Sequence, residues 1–251
     1  RNYLLIWIIK NFIQLLFQRP SLTVIKNIQE IIPLTIQGEG FHAGRSCSFI
    51  RLFGCPVGCW FCDTGYAPGD RENLNKLPRL SIDYESLREQ LQSRYVVISG
   101  GEPLFHQDFE ELLERLLGDN FEVAVETSGA KAFPFEKFSK VWVTFSPKLH
   151  ATDYLKGQLS TTFWTHSKEI KVVISETADW EIYEKLLDQA AQLGIPIYLQ
   201  PEWSNKLETT PLILQILQQK PDWKISVQLH KYLKLPWVAA FIRLIKSQRC
   251  Q

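Results

Sequence analysis

Methionine is absent from the 251 residues, so Arg1 is not an ordinary initiator. An excess of charge is absent too: 28 lysines and arginines stand against 27 acids, a formal net charge of +1. A surface that tracks phosphates needs a marked surplus of base, so nothing in the composition calls for nucleic acid. Cysteine is scarce and uneven, five residues in all, which excludes the disulfide scaffold of small secreted domains. Long apolar runs are also missing. The nearest candidate, YLLIWIIKNFIQLLF at 3–17, is broken by Lys10, Asn11 and Gln14. It falls short of the roughly 20 residues a spanning helix requires. No small-residue cleavage site follows it, which argues against a signal peptide. Residues 1–26 are expected to form an extension outside the functional core. The 45% apolar content excludes disorder, and 13 glycines with 13 prolines exclude a low-complexity chain.

From residue 28 onward, strand-like and helix-like runs alternate. The predicted strands are 30–36, 46–53, 95–99, 121–125, 141–145, 170–175, 195–200 and 223–229, each rich in β-branched and aromatic residues. Helical periodicity covers 84–93, 107–117, 180–193 and 211–218. Asp179 and Thr210 stand where helix N-caps are expected, and Gly194 follows a helix as a C-terminal stop should. Such alternation implies a parallel sheet with helices outside it, open or closed into a barrel.

Polar residues cluster at the carboxyl ends of these strands. Ser99, Gly100, Gly101 and Glu102 follow one strand; Glu126, Thr127 and Ser128 follow the next; Ser146, Pro147 and Lys148 a third. Gln200 and His230 end two more. That end of a parallel α/β sheet is its functional face, and the convergence of five strands carries more weight than any one residue.

The three cysteines Cys55, Cys59 and Cys62 fall on one short loop after a strand. Three thiolates can hold three irons of a cubane and leave the fourth iron open to a small molecule. Zinc, with Cys47 as a fourth thiolate, is the alternative. Structural zinc sites usually draw on two separated pairs of ligands, and no second pair exists here. Cys47 also lies within a predicted strand, on the face of Phe49 and Arg51. Cys47 and Cys250 are therefore expected to be unliganded thiols.

The spacing CPVGCWFC at 55–62 resembles the signature of the radical S-adenosylmethionine enzymes, and SGGEP at 99–103 resembles their second motif. More narrowly, IQGEGFHAGRSCSFIRLFGCPVGCWFCDT at 36–64 is similar to the 7-carboxy-7-deazaguanine synthases of queuosine biosynthesis. VETSG at 125–129, SPK at 146–148 and VQLHKYL at 227–233 fit the same family in the same order. The resemblance covers about residues 30–236.

This resemblance implies an incomplete or distorted (β/α) barrel. It implies a lyase that converts 6-carboxy-5,6,7,8-tetrahydropterin into 7-carboxy-7-deazaguanine with release of ammonia, using a [4Fe-4S] cluster, S-adenosylmethionine and magnesium. The implied cluster ligands are Cys55, Cys59 and Cys62, with Thr64 on magnesium. The implied cofactor contacts are Phe61, Cys62, Asp63, Gly101, Glu102, Ser146, Pro147, Lys148 and Gln200. The implied substrate contacts are Ile36, Gln37, Gly38, Glu39, Arg51, Ser99, Glu126, His230 and Pro236. A one-electron donor such as flavodoxin or ferredoxin, a homodimer and a cytoplasmic location also follow from it, with neither nucleic acid nor membrane as a direct partner.

Some of these roles have reasons apart from the family. Arg51 is a cation inside an apolar strand, SFIRLFG, and burying a charge is costly unless it meets an anion. Its planar fork suits a carboxylate held by two parallel hydrogen bonds, whereas an internal pair with Glu39 or Glu126 is the structural alternative. Gln37 and Gly38 sit on a glycine-flanked loop that a flat heterocycle can approach closely.

Two features depart from the family pattern. Its members generally end near the HKYL element; here Pro236 falls at that point and 237–251 continue as an apolar, basic tail beyond a 27–236 core. The extension 1–26 is the other departure. A glycyl-radical activase would share the cluster and GGEP but needs no QGEG, Arg51 or HKYL. A non-catalytic zinc-binding module would be colourless, whereas an anaerobically purified cluster protein is brown. Alanine at Cys55, Cys59 or Cys62 is expected to abolish iron binding after anaerobic reconstitution, and alanine at Cys47 or Cys250 to leave it intact. Full iron content in Cys59→Ala would overturn the assignment.

Overall fold

The computed structural model describes residues 23–149 and 161–235. Nine strands form one sheet in the order β3-β1-β2-β4-β5-β6-β7-β8-β9. The strands are β1 (Val24–Ile36), β2 (Ser46–Leu52), β3 (Leu80–Asp83), β4 (Tyr95–Gly100), β5 (Glu122–Thr127), β6 (Trp142–Phe145), β7 (Ser167–Ile174), β8 (Ile197–Pro201) and β9 (Lys224–Ile225). β1 pairs antiparallel with both β2 and β3, and every pairing from β2 to β9 is parallel. The helices are α1 (Tyr84–Gln90), α2 (Phe109–Gly118), α3 (Thr161–His166), α4 (Thr177–Gln192), α5 (Lys206–Gln219) and α6 (Leu229–Tyr232). The sheet does not close on itself, so the expected incomplete barrel is what the chain forms. Among the described residues no helix is long and apolar enough to cross a membrane.

The two faces of the sheet divide the chemistry. In β4, Val96 and Ile98 pack outward with Leu112, Leu113 and Leu116 of α2, while Tyr95 and Val97 turn inward with Cys47 and Ala124. α2 buries Phe109, Leu112, Leu113 and Leu116, the i, i+3, i+4, i+7 stripe of an amphipathic helix. A second outer core joins Ile170, Val172 and Ile174 of β7 to Tyr183 and Leu187 of α4 and Ile213 of α5. Each such side chain contributes about 1.5–3 kcal/mol on burial. The inner face carries the polar strand-end groups beside the small apolar cluster of Cys47, Tyr95, Val97 and Ala124.

Several boundaries differ from the sequence expectation. β1 begins at Val24, three residues before the boundary placed at 26/27, and Ile25 is fully buried. β3 was not foreseen, because its four residues are half-exposed and carry no periodicity. The strand expected at 223–229 shrinks to two residues. The backbone N–H of Leu229 donates to Gly38 O at 3.0 Å, and Gly40 N donates to Ser226 Oγ at 3.0 Å, so this segment turns from the ladder toward the 37–45 loop. α5 starts at Lys206, not after Thr210, because Glu202 accepts the N–H groups of Ser204 and Asn205 at 3.1 and 3.0 Å and anchors the helix start. Pro211 is thereby carried inside the helix. Asp179 is likewise not the cap of α4: it lies in the first turn, and its carboxylate accepts the N–H groups of Ser175 and Glu176. Gly194, with φ of 71°, follows α4 as expected.

Leu112→Ala leaves a cavity between α2 and the sheet. It is expected to cost about 2–5 kcal/mol, read as a lower denaturant midpoint with the unfolding slope unchanged.

Candidate active site

The chain crosses from β2 into the cysteine loop through a close backbone contact. Gly101 N donates to Leu52 O at 2.9 Å, and Glu102 N donates to Gly54 O at 2.9 Å. A Cβ on Gly101 would stand 1.9 Å from Gly54 O, so this approach requires glycine. Gly100, at φ 131°, is equally constrained, since a Cβ there would lie 2.2 Å from Leu52 O. The glycines of SGGEP are thus fixed by the chain that precedes Cys55.

A second device holds both ends of the loop. The Tyr66 hydroxyl accepts the Gly54 N–H at 2.9 Å and donates to Gln29 Oε1 at 2.8 Å. Gln29 Nε2 in turn donates to Thr64 O at 3.4 Å. Gln29 stands where the β1–β2 register slips between Ile28 and Glu30, and the slip frees its side chain for this use.

Cys55, Cys59, Cys62, Thr64, Phe61 and Asp63 line one cavity. Ile36, Gln37, Gly38, Glu39, Arg51, Ser99, Gly101, Glu102, Glu126, Ser146, Lys148, Gln200 and His230 line the same cavity. Every sequence-predicted site residue within the described part therefore meets there, except Pro147. Its carbonyl accepts the Tyr183 hydroxyl at 3.0 Å, beneath α4. Pro236 lies outside the described residues.

Burial pushes the Cys55 thiol up to about 12 and raises Cys59 as well. Cys62 Sγ is 3.1 Å from Thr64 Oγ1. Cys47 lies apart, wholly buried among Tyr95, Val97 and Ala124. Among the described residues, no three His, Cys, Asp or Glu side chains converge closely enough to hold a single ion. Cys55, Cys59 and Cys62 are half-buried thiols on the wall of one cavity, a donor set that can give one sulfur to each of three irons.

The acidic side of the cavity is a hydrogen-bonded network. Glu126 accepts from Gln37 Nε2 at 2.9 Å and from the Ser99 hydroxyl at 3.2 Å. Glu39 accepts from Gln228 Nε2 at 2.9 Å and pairs with Lys171. Burial works to raise the Glu39 pKa, but Lys171 and then His230 outweigh it and bring the group down to about 2. Glu102 is buried and accepts the Thr127 hydroxyl at 2.5 Å, the Ser128 N–H at 2.7 Å and the Ser128 hydroxyl. Lys148 donates to both oxygens of Ser146 at 2.6 Å, and Gln200 Oε1 accepts from Ser226 at 2.9 Å. Asp63 pairs with Lys231 at 2.6 Å. The His230 ring packs on Gly38, where a Cβ would come within 2.1 Å of Nδ1.

Arg51 departs from expectation in its partner. Its Nε donates to Glu30 at 3.0 Å, both side chains being about 95% buried, rather than to Glu39 or Glu126. The antiparallel register sets Glu30 directly opposite Arg51, a pairing that the sequence reading did not consider.

Comparison with known proteins bears on this geometry. Residues 49–206 match the model of the radical SAM superfamily. The chain is 35% identical over 216 residues to the 7-carboxy-7-deazaguanine synthase of Flavobacterium psychrophilum, covering 82% of this chain and 94% of that one. It is 33% identical over 225 residues to the enzyme of the same name from Escherichia coli K12, across 95% of the latter. The chain belongs to this family. The crystal structure of QueE from Escherichia coli superposes with a TM-score of 0.64 at 30% identity, covering 86% of this chain and 98% of that one.

Membership in the radical SAM superfamily implies a [4Fe-4S] cluster and S-adenosylmethionine. The residues present fit both: three thiols lining the cavity, and beside them a glycine turn with no room for a side chain. Sequence reasoning missed Gln29, Glu30, Tyr66, Lys171 and Gln228. Lys171 had a readable signal, since a lysine in the apolar run IKVVI is as anomalous as Arg51 in its own strand.

Tyr66→Phe keeps the ring edge against Phe53, 5.9 Å between centroids, and removes both hydrogen bonds. The Gly54 N–H then lacks a partner, at a cost of about 1–3 kcal/mol. Reconstituted Tyr66→Phe is expected to lose iron to a chelator several-fold faster than the parent. An equal rate would show that the clamp does not hold the loop.

Proposed function

We propose that the protein converts 6-carboxy-5,6,7,8-tetrahydropterin into 7-carboxy-7-deazaguanine and ammonia, as a carbon–nitrogen lyase of queuosine biosynthesis. The observation that carries this reading is one cavity lined both by Cys55, Cys59 and Cys62 and by Gln37, Glu39, Glu126 and Arg51. Cluster and cofactor alone would describe much of the superfamily. The acids and the arginine are what a small nitrogen heterocycle with a carboxylate would need. Ring contraction with loss of one ammonia balances the conversion without an added oxidant.

Bound together, the reduced cluster and S-adenosylmethionine supply reversible hydrogen-atom abstraction. The chain's own residues orient and enclose. Cys55, Cys59 and Cys62 hold three irons, and the backbone of Gly101 and Glu102 with Ser146, Lys148 and Gln200 receives the cofactor. Phe61 and Asp63 flank it, and Pro147 acts only through the path of the chain. Glu39, Glu126 and Gln37 read the N–H edge of the pterin, with Ser99 and His230 beside them and Ile36 and Gly38 against its flat face. Arg51 takes the substrate carboxylate while Glu30 steadies its Nε. Thr64, half-buried beside Cys62, would hold magnesium; one protein hydroxyl would suffice for an ion that usually keeps several waters. A one-electron donor of the flavodoxin or ferredoxin class and a second copy of the chain complete the proposed partners.

Anaerobic reconstitution with dithionite, S-adenosylmethionine and carboxytetrahydropterin tests the reading. Mass analysis is expected to show a product lighter than substrate by one ammonia; cofactor cleavage without that product would overturn it. In the same experiment, Arg51→Lys keeps the charge and loses the fork. Its substrate affinity should fall by the about 1.5–3 kcal/mol of a charge-assisted hydrogen bond, roughly tenfold to a hundredfold. Iron content and slow uncoupled cofactor cleavage should persist. Unchanged affinity in a fully loaded protein would leave Arg51 a structural ion-pair partner of Glu30.

A further inference from the structure

Lys171 lies on the inner face of β7 and is 4% exposed. Its ammonium pairs with Glu39 of the 37–45 loop and stands 3.8 Å from Glu126 Oε1 at the end of β5. The two carboxylates belong to segments far apart in sequence and face the same cavity. Gln37 lies beside both, donating to Glu126 and accepting the Glu39 backbone N–H at 3.2 Å. Two acids facing one cavity repel each other unless a cation stands between them. Lysine suits that place because its charge is a compact point with three donors, where a guanidinium would need room for a planar fork.

We propose that Lys171 is a positioning residue of the substrate cavity: it bridges Glu39 and Glu126 and fixes both side chains as acceptors for the N–H edge of the heterocycle. This rests on the function proposed above. The ionisation matters because a protonated carboxyl presents a donor, and a donor facing an N–H edge leaves both groups unsatisfied. Each carboxylate oxygen accepts at more than one site, so the existing bonds to Ser99, Gln37 and Gln228 leave capacity for a ligand.

Lys171 is not a general base. Burial lowers its pKa, but Glu126 and Glu39 outweigh that and hold it above the usual lysine range. The other charged groups facing this centre are Glu169, whose carboxylate takes the Phe41 N–H and the Thr144 hydroxyl, Lys148 beyond β6, and His230 beside Glu39. None of them spans the two acids as Lys171 does.

The sign of the pH effect follows. With Lys171 in place Glu39 titrates at about 2, so acidification through the neutral range does not remove its acceptor. Without Lys171 the upward push of burial and the repulsion between the acids remain. Glu39 then protonates as pH falls, and substrate affinity falls with it.

The test uses cluster-loaded protein with S-adenosylmethionine and no reductant, measuring the dissociation constant of carboxytetrahydropterin from pH 8 to pH 5.5. The ratio of Lys171→Met to native is the readout, because it cancels the ligand's own titration. The proposal expects that ratio to rise by about tenfold or more as pH falls, each protonation contributing up to about tenfold per pH unit. Lys171→Arg should weaken binding by the same factor at every pH. A ratio for Lys171→Met that does not change with pH would overturn the proposal and leave Lys171 a structural ion-pair residue. If Lys171→Met fails to load, 13C titration of the glutamate carboxyls in native protein decides, with peaks assigned by Glu39→Gln and Glu126→Gln. Glu39 should stay ionised to pH 5, and Glu39 titrating above that pH would overturn the proposal. Native protein that does not bind carboxytetrahydropterin would instead refute the functional reading, while the carboxyl titration would still report on Lys171.

Discussion

Two backbone hydrogen bonds between the ends of β2 and β4 fix the rest of the site. They join Leu52 O to Gly101 N and Gly54 O to Glu102 N, and they bring the cysteine loop and the glycine turn into contact. Parallel pairing makes this geometry natural, because it delivers both carboxyl ends to one side of the sheet. Glycine makes it sterically allowed. A methyl group at Gly101 would have to displace backbone, not a flexible side chain, and the displaced atoms would be those that lead into Cys55.

The inner face carries buried charge, and the structure compensates it group by group. Arg51 has Glu30 across the β1–β2 ladder; Glu102 has two hydroxyls and an N–H; Lys171 has two carboxylates. Pairs this deeply buried contribute little net stability, because desolvation cancels most of their attraction. Their value lies in geometry. Each fixes a side chain at a wall of the cavity, and the folding free energy comes from the opposite face, where the apolar residues of α2, α4 and α5 meet the sheet.

Much of this was readable in the sequence because it is local. The cysteine spacing, the glycine turn and the polar strand ends each lie within a few consecutive residues, and parallel topology then gathers them. The unread parts depend on register or tertiary pairing. Glu30 meets Arg51 only because of the antiparallel register of β1, with its irregularities on either side. Tyr66 reaches Gly54 and Gln29 from a loop without periodicity. The 223–229 run has strand propensity throughout, yet its second half serves the 37–45 loop, since Gly38 and Gly40 offer it partners that the sheet edge does not. Thr210 and Pro211 read as a helix start by composition and were overridden by the Glu202 carboxylate four residues before Lys206.

The open sheet has a consequence for the order in which the protein can be assembled. The hydrogen bonds that shape the cysteine loop and the glycine turn lie between residues 29 and 128. Those that complete the heterocycle-binding wall join the 37–45 loop to residues 226–229, from opposite ends of the described chain. During synthesis the iron-binding half therefore has all its local contacts long before the wall facing it exists. The segment 226–229, emerging late, completes the wall that faces the thiols.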